Sequence, residues 1–242
     1  MIICDGVSFS YGRRVALDDF SATIGPGLTG VLGPNGAGKS TLLSILATLR
    51  RPQFGTVEVN GIPIGDWGQI RRFLGYLPQK FEVMSSRTVR DNLEYAAWAR
   101  GVDARDCPRA AEEAAERVGL GDRLSQRVGR LSGGYRQRLG FGCAIVHSPS
   151  VLLLDEPTVG IDPVRRVDFR LLIAQFAKDA TVVTTTHVIE DVALVGSNVI
   201  VIDEGRKVFQ GNVVELEQAG ANSDVTGMSA IEKGYYAVVS HS

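Results

Sequence analysis

One loop narrows the folds open to this chain more than anything else in it. Gly33-Pro34-Asn35-Gly36-Ala37-Gly38-Lys39-Ser40 follows the pattern G-x-x-x-x-G-K-[ST]. It joins a short apolar run, Leu28–Leu32, to a stretch from Lys39 to Leu49 in which Leu42, Leu43, Ile45, Leu46 and Leu49 recur at helical spacing. The apolar residues nearly encircle that helix, which predicts that it is buried. The glycines let the chain curl so that successive backbone N–H groups point inward, where a Cβ would stand in the way. The helix adds the positive end of its dipole. Such a loop is a cradle for phosphate oxygens. Lys39 would bring an ammonium to the β- and γ-phosphates, Ser40 a hydroxyl ligand for Mg²⁺, and Thr41 belongs to the same set.

The second half of such a site is Val151-Leu152-Leu153-Leu154-Asp155-Glu156. A wholly apolar strand is buried on both faces, and acidic residues at its C-terminal end emerge where the phosphates sit. Asp155 would hold the Mg²⁺ shell through water. Glu156 would be the general base that orients the attacking water.

The rest of the chain is organised around these two segments. The first 25 residues alternate through Ile3, Val7 and Phe9, then Val15, Leu17, Phe20, Ala22 and Ile24, across the turn Tyr11-Gly12-Arg13-Arg14, which predicts two strands with one face buried. Thr56–Val59 and Ile62–Ile64 flank Asn60-Gly61, a hairpin signal. The middle is helical. Thr88 and Asp91 make a capping box ahead of Val89, Leu93, Ala96 and Ala97, and Pro108 opens a second helix that Gly119 stops. A third helix follows Gly134 and runs to about His147. Then come strand Val151–Leu154, helix Pro163–Phe176 capped by Asp162, strand Thr181–Thr186, a short helix, strands Val199–Ile202 and Lys207–Gln210, and a closing helix within Ala221–Ser242. Strands and helices alternating on either side of a helical insert predict an α/β sheet with a helical subdomain.

Composition excludes several classes. Across 242 residues, 44% are hydrophobic and 22% charged, as in an ordinary globular chain. Lys+Arg 26 against Asp+Glu 27 leaves a net charge of -1, so no overall field draws the chain to nucleic acid or an anionic bilayer. Apolar runs are far shorter than the roughly 20 residues that cross a membrane, and no secretory leader is visible. Three scattered cysteines, Cys4, Cys107 and Cys143, make neither a disulfide framework nor a zinc cluster and favour a reducing cytosol.

Upstream of the acidic strand stands Leu131-Ser132-Gly133-Gly134. With this motif in place, the chain resembles the ATP-binding cassette (ABC) family from about Ile2 to Gly211, with the motifs in the family's order. The Ser132 hydroxyl and the Gly133 and Gly134 amides form another anion cradle. One nucleotide does not need two cradles. The resemblance implies a head-to-tail dimer in which the signature of one subunit closes on the ATP held by the other. It also implies roles for Tyr11 as the ring against adenine, Gln79 as the glutamine touching Mg²⁺ and the attacking water, His187 as the switch histidine on the γ-phosphate, and Asp162 in the dimer-crossing loop. Taken alone, each of these four has an ordinary structural reading, Asp162 as a helix cap among them. The chain departs from the family where Tyr135 replaces the usual glutamine after the signature, and in Val159-Gly160-Ile161-Asp162 where Ser-Ala-Leu-Asp is common.

The implied fold is a P-loop NTPase, RecA-like mixed sheet core with an N-terminal antiparallel β subdomain and a helical subdomain. The implied organisation is a single ABC ATPase domain over 1–242, with core 1–84 and 148–220, helical subdomain 85–147 and a C-terminal extension 221–242. The expected activity is ATP hydrolysis with Mg²⁺, driving a separate membrane permease from the cytoplasmic face, as a homo- or heterodimer of export-type subunits and without nucleic acid. Gln79–Trp98 is where a permease would dock, although Phe81, Val83 and Met84 read equally well as core. The alternatives are an ABC ATPase acting on ribosomes or nucleic acid, and a nucleotide-binding regulator without turnover.

Overall fold

The computed structural model describes residues 1–189, 191, 198–221 and 227–240. Two sheets enclose the first helix. Strands β1 (Ile2–Tyr11), β2 (Arg14–Ile24), β4 (Phe54–Val59) and β5 (Ile62–Pro63) form an antiparallel sheet in the order β2-β1-β4-β5. Strands β3 (Gly27–Leu32), β6 (Leu74–Leu77), β7 (Val151–Asp155), β8 (Thr181–Thr186), β9 (Asn198–Asp203) and β10 (Arg206–Asn212) form the second sheet, in the order β10-β9-β3-β8-β7-β6. All neighbours in it are parallel except β10, which runs against β9.

The helices are α1 (Lys39–Leu46), α2 (Trp67–Ile70), α3 (Val89–Ala99), α4 (Cys107–Arg117), α5 (Gly133–Ile145), α6 (Pro163–Phe176), α7 (Val213–Ala219) and α8 (Ala230–Ser240). Leu42, Leu43, Ile45 and Leu46 of α1 are fully buried between the two sheets, in one cluster with Ile2, Phe20, Val57 and Leu153. Each such leucine contributes about 1.5–3 kcal/mol. The helix ends sooner than its apolar spacing suggests. Ala47 closes it, Thr48 turns with φ 61, and Leu49 is left 60% exposed.

Strand β7 is buried on both faces. Val151 and Leu153 join the α1 cluster, whereas Leu152 and Leu154 join the cluster built by α3, α4, α5 and α6. A third cluster seats α7 and α8 on Leu32, Val199 and Val201, the opposite face of β9 from Ile200 and Ile202. The N-terminal alternation is broken by three shifts in the pairing of β1 with β2. Ile2 and Cys4, rather than Ile3, face the core. Val15 is 55% exposed while Ala16 takes the buried side, and Asp19 (φ 51) lies in the shift between the Val7–Phe20 and Phe9–Leu17 pairs. Asn60 and Gly61 both have positive φ, 51 and 76, as a two-residue hairpin of the I′ kind requires.

The capping box of α3 is complete: the Asp91 N–H donates to Thr88 Oγ1 at 3.1 Å and the Thr88 N–H to Asp91 at 2.9 Å. Pro108 lies in the first turn of α4, and Asp162 caps α6 by accepting from the Arg165 N–H at 3.1 Å. The closing helix is α8, whereas the short helix expected before Val199 falls largely outside the described residues.

This topology positions the site. Strands β3, β8, β7 and β6 are parallel neighbours, with Leu32 level with Thr186, Asp155 with Thr185, and Leu77 with Leu154. Their C-terminal ends therefore share one edge. The chain leaves that edge into the Gly33 loop, His187, Glu156 and Gln79 in turn.

Candidate nucleotide site

At that edge the loop after β3 wraps the start of α1. Gly38 adopts φ 108, a conformation closed to most side chains, and a Cβ there would collide with the Ala16 carbonyl oxygen. Lys39 is only 5% exposed, and its ammonium donates to the Gly33 and Pro34 carbonyls at 2.8 and 2.9 Å. Burial pushes this ammonium below its ordinary range, while the charges of Glu156 and Asp155 pull it back up.

Ser40 Oγ donates to Asp155 Oδ1 at 3.1 Å, and the same carboxylate oxygen accepts from Thr185 Oγ1 at 2.7 Å. Asp155 and burial together hold the neighbouring Tyr76 phenol up at about 12, with burial the larger cause. The hydroxyl and carboxylate are an all-oxygen donor pair, which suits a hard divalent cation held mainly by phosphates and water. Among the described residues no group of three or more His, Cys, Asp or Glu forms a closed metal cage.

Glu156 has a left-handed backbone, φ 46, pinned by its N–H donating to Thr185 Oγ1 at 3.0 Å. A non-glycine residue held there carries strain of the kind that gathers at functional sites. Gln79 Nε2 donates to Glu156 Oε2 at 3.0 Å, and His187 Nδ1 lies 3.3 Å from that same oxygen. Three residues widely separated in sequence thus meet on one carboxylate.

The resulting cleft, of about 610 Å³, is lined by Tyr11, Asn35, Gly36, Gly38, Lys39, Ser40, Thr41, Gln79, Glu156 and His187. Gly33, Pro34 and Ala37 complete the loop behind it. Gly33 is pressed against Ile202, and the Ala37 carbonyl accepts from the Gly205 N–H at 3.0 Å. Tyr11 stands at the rim with its hydroxyl 3.5 Å from Thr41 Oγ1. Phe9 meets its ring edge-on at 5.0 Å, and Arg50 lies 4.7 Å over it. Sequence reasoning passed over Arg14, Ala16 and Val159, which also line the cleft. The guanidinium of Arg14 covers Gly36, 2.8 Å from where a Cβ would sit. Its only sequence signal is a basic residue just past Tyr11.

Behind the cleft, Asp191 Oδ2 accepts from Thr158 Oγ1 at 2.5 Å and from Thr186 Oγ1 at 3.2 Å, and Asp191 also pairs with buried Arg170. Thr158 follows Glu156 by two residues and Thr186 immediately precedes His187.

Ser132, Gly133, Gly134 and Asp162 do not line this cleft. Ser132 stands at the N-cap of α5 without capping it, and its Oγ accepts from Arg165 Nη1 at 2.9 Å. Arg165 also pairs with Asp162 at 3.4 Å, so the signature and the loop before α6 are joined on a second surface. Tyr135 packs there, with Arg123 4.3 Å over its ring and Arg165 at 5.8 Å. Of the segment after Gln79, Phe81 and Val83 pack against the core, where Phe81 lies directly on Gly140. Met84 is exposed beside Tyr95 and Trp98 of α3, and those two rings are 6.0 Å apart.

A family model described as ABC transporter matches residues 17–159. The Nod factor export ATP-binding protein I of Paraburkholderia xenovorans (strain LB400) is 36% identical over 224 residues, which span 91% of this chain and 74% of that protein. The daunorubicin resistance ATP-binding protein DrrA3 of Streptomyces coeruleorubidus is 35% identical over 238 residues, 96% of this chain and 75% of that protein. Among solved structures, an ATP binding subunit of an ABC transporter superposes with a TM-score of 0.83 over 99% of both chains, and at 23% identity it supports the fold alone. The structure of cbiO1 from Clostridium perfringens, part of the ABC transporter complex cbiONQ, superposes with a TM-score of 0.81 at 26% identity, over 92% of this chain and 95% of that one.

Proposed function

The chain belongs to the ABC transporter family as an ATP-binding subunit, and from that membership we propose that it hydrolyses Mg-ATP in a head-to-tail dimer that drives a separate membrane permease. The observation that carries this reading is the meeting of Gln79 and His187 on Glu156 Oε2, beside the Ser40–Asp155 pair and the Lys39 loop. In the proposed organisation, 1–84 and 148–220 are the ATP-binding core, 85–147 the helical subdomain and 221–242 an extension.

The triphosphate lies along Gly33–Ser40, where the backbone amides and the N-terminus of α1 face it and Lys39 exchanges its two carbonyl contacts for β- and γ-oxygens. The adenine stacks on Tyr11, a contact worth about 1–3 kcal/mol. Ser40, Asp155 and Gln79 are the residues placed to hold Mg²⁺ and its waters, and the ion would neutralise charge on the phosphates. Glu156 accepts a proton as water attacks the γ-phosphorus and the bond to the β–γ bridging oxygen breaks. His187 keeps the carboxylate turned toward the cleft and steadies the γ-phosphate. One chain leaves the outer side of that phosphate open, and the signature Ser132–Gly134 of the second copy closes it, with Asp162 at the crossing.

The exposed patch of Met84, Tyr95 and Trp98 is the docking surface for the permease, since amphipathic rings at an exposed groove suit a partner. No described helix is long and apolar enough to cross a membrane; membrane attachment comes through the permease, at its cytoplasmic face. The export-type names of the relatives favour that direction.

Glu156→Gln tests the reading. It removes the base but preserves shape, and should trap an ATP-bound dimer while lowering turnover by about 10²–10⁴-fold. Turnover near that of the parent would remove Glu156 as the base. Recovery with ribosomes or nucleic acid, rather than with an integral membrane protein, would overturn the transport assignment.

A further inference from the structure

We propose that Arg165 is a second ligand, beside Ser132, for the terminal phosphate of the ATP bound by the partner copy. This rests on the head-to-tail closure proposed above. Ser132 is exposed, stands at the N-cap of α5 and gives that helix no side-chain hydrogen bond. Its Oγ instead accepts from Arg165 Nη1 at 2.9 Å. A hydroxyl has one proton to give. The guanidinium takes a lone pair of Ser132, as a capped amide would, and leaves the proton free to be donated to a phosphate oxygen. The arginine and the hydroxyl thus stand together as donors at the exposed start of α5.

The same guanidinium is held in place from three sides. Its Nε lies 3.4 Å from Asp162, its Cζ 5.8 Å from the Tyr135 ring, and its Cδ and Nη1 within 3.2 and 3.4 Å of where a Gly134 Cβ would stand. A Cβ at position 134 would make it give by a few tenths of an ångström. Arg165 thus lies over the N-terminus of α5, whose first turn carries no acidic residue. Asp162 offsets part of the guanidinium's charge from one side, and the start of α5 adds the positive end of its dipole. The side chain is 51% exposed, and the guanidinium hydrogens beyond those given to Ser132 and Asp162 remain for phosphate oxygens, in a planar arrangement that fits them better than a point charge does. Arg165 is absent from its own chain's nucleotide cleft, so its contact is made in trans.

The test uses the full chain in the Glu156→Gln background, with ATP-driven dimerisation followed by analytical ultracentrifugation and nucleotide affinity measured on dilute monomer. R165A should leave monomer affinity within about twofold of the parent. It should raise the ATP concentration for half-dimerisation by about ten- to a hundredfold and flatten the dependence of dimerisation on NaCl. R165K, which keeps the charge, should recover part of the loss. If R165A dimerises like the parent, or more readily because the guanidinium had been restraining Ser132, the proposal is overturned and closure stands. An equal loss of monomer affinity would overturn it too. A parent that fails to associate with ATP removes closure itself, and the proposal with it.

Discussion

Lys39→Met separates what the buried ammonium does for folding from what it does for ATP. In the free chain the ammonium is almost wholly out of water, with two carbonyl oxygens as its hydrogen-bond partners. Its nearest carboxylates, Glu156 and Asp155, act through space and only partly offset the burial. Replacing a desolvated charge with an apolar side chain of similar length is often neutral or stabilising, while the carbonyls lose charge-assisted bonds of about 1.5–3 kcal/mol. The two effects oppose each other, so the melting temperature without nucleotide should stay within about 2 °C of the parent.

ATP changes the balance. Ligand at a hundred times its dissociation constant stabilises the parent by about 2.7 kcal/mol, or roughly 5–10 °C in a chain of this size. Losing two ammonium–phosphate contacts weakens binding by about 3 kcal/mol or more, a factor of at least about a hundred. At the same ATP concentration the variant then gains only about 0.4 kcal/mol, near 1 °C. Differential scanning fluorimetry with and without Mg-ATP measures both quantities. A full ATP shift in Lys39→Met would mean the triphosphate lies elsewhere. A fall of more than about 5 °C without nucleotide would refute the view of Lys39 as a charge kept for its ligand.

Three further outcomes are expected. Thr88→Ala removes the hydroxyl half of the α3 capping box, leaving the backbone N–H of residue 88 on Asp91, and should cost about 1 kcal/mol, seen as a lower urea midpoint with the slope unchanged. Gly38→Ala forces a Cβ against the Ala16 carbonyl at φ 108; it should cost about 2 kcal/mol or more and remove nucleotide binding, as read by calorimetry. Burial, aided by the Arg100 guanidinium, holds His147 down at about 4 from an ordinary 6.5. The folded chain keeps it neutral where the unfolded chain takes up a proton. Its contribution is therefore whole above pH 6.5 and is lost as pH falls from 6.5 to 4, by up to about 3 kcal/mol. His147→Gln should flatten the dependence of the urea midpoint on pH in that window.

The parts of the molecule legible in the sequence are those set by short-range rules. The Gly33–Ser40 loop, the apolar strand Val151–Leu154, helix Pro163–Phe176 and strand Thr181–Thr186 carry their own periodicity and caps, and the structure holds them at or near those bounds. Helices α2 and α7 escaped notice because four and seven residues give too few turns for a period to register. Leu49 and Val15 look apolar and periodic but end outside, since a turn at Thr48 and a register shift between the Phe9–Leu17 and Ser10–Val15 pairs displace them. Asn92 shows the limit differently. It is a buried amide that closes onto the Met84 N–H and carbonyl, a partnership no local pattern announces. The motifs singled out Gln79, Glu156 and His187 one by one, yet the three are brought together by sheet order, which spacing along the chain does not encode. The contact of Arg165 with Ser132 likewise joins residues 33 apart, the first turn of α6 with the start of α5.

Thr158 and Thr186 lean on a single oxygen of Asp191. An atom with two such clients cannot follow both if they travel apart. Should the backbone at His187 retreat as a phosphate leaves, the aspartate must either tow the stretch beyond Glu156 after it or surrender one hydroxyl in a place that water reaches poorly. The rear of the cleft is consequently less like two adjacent loops than like a pair of levers on one pivot.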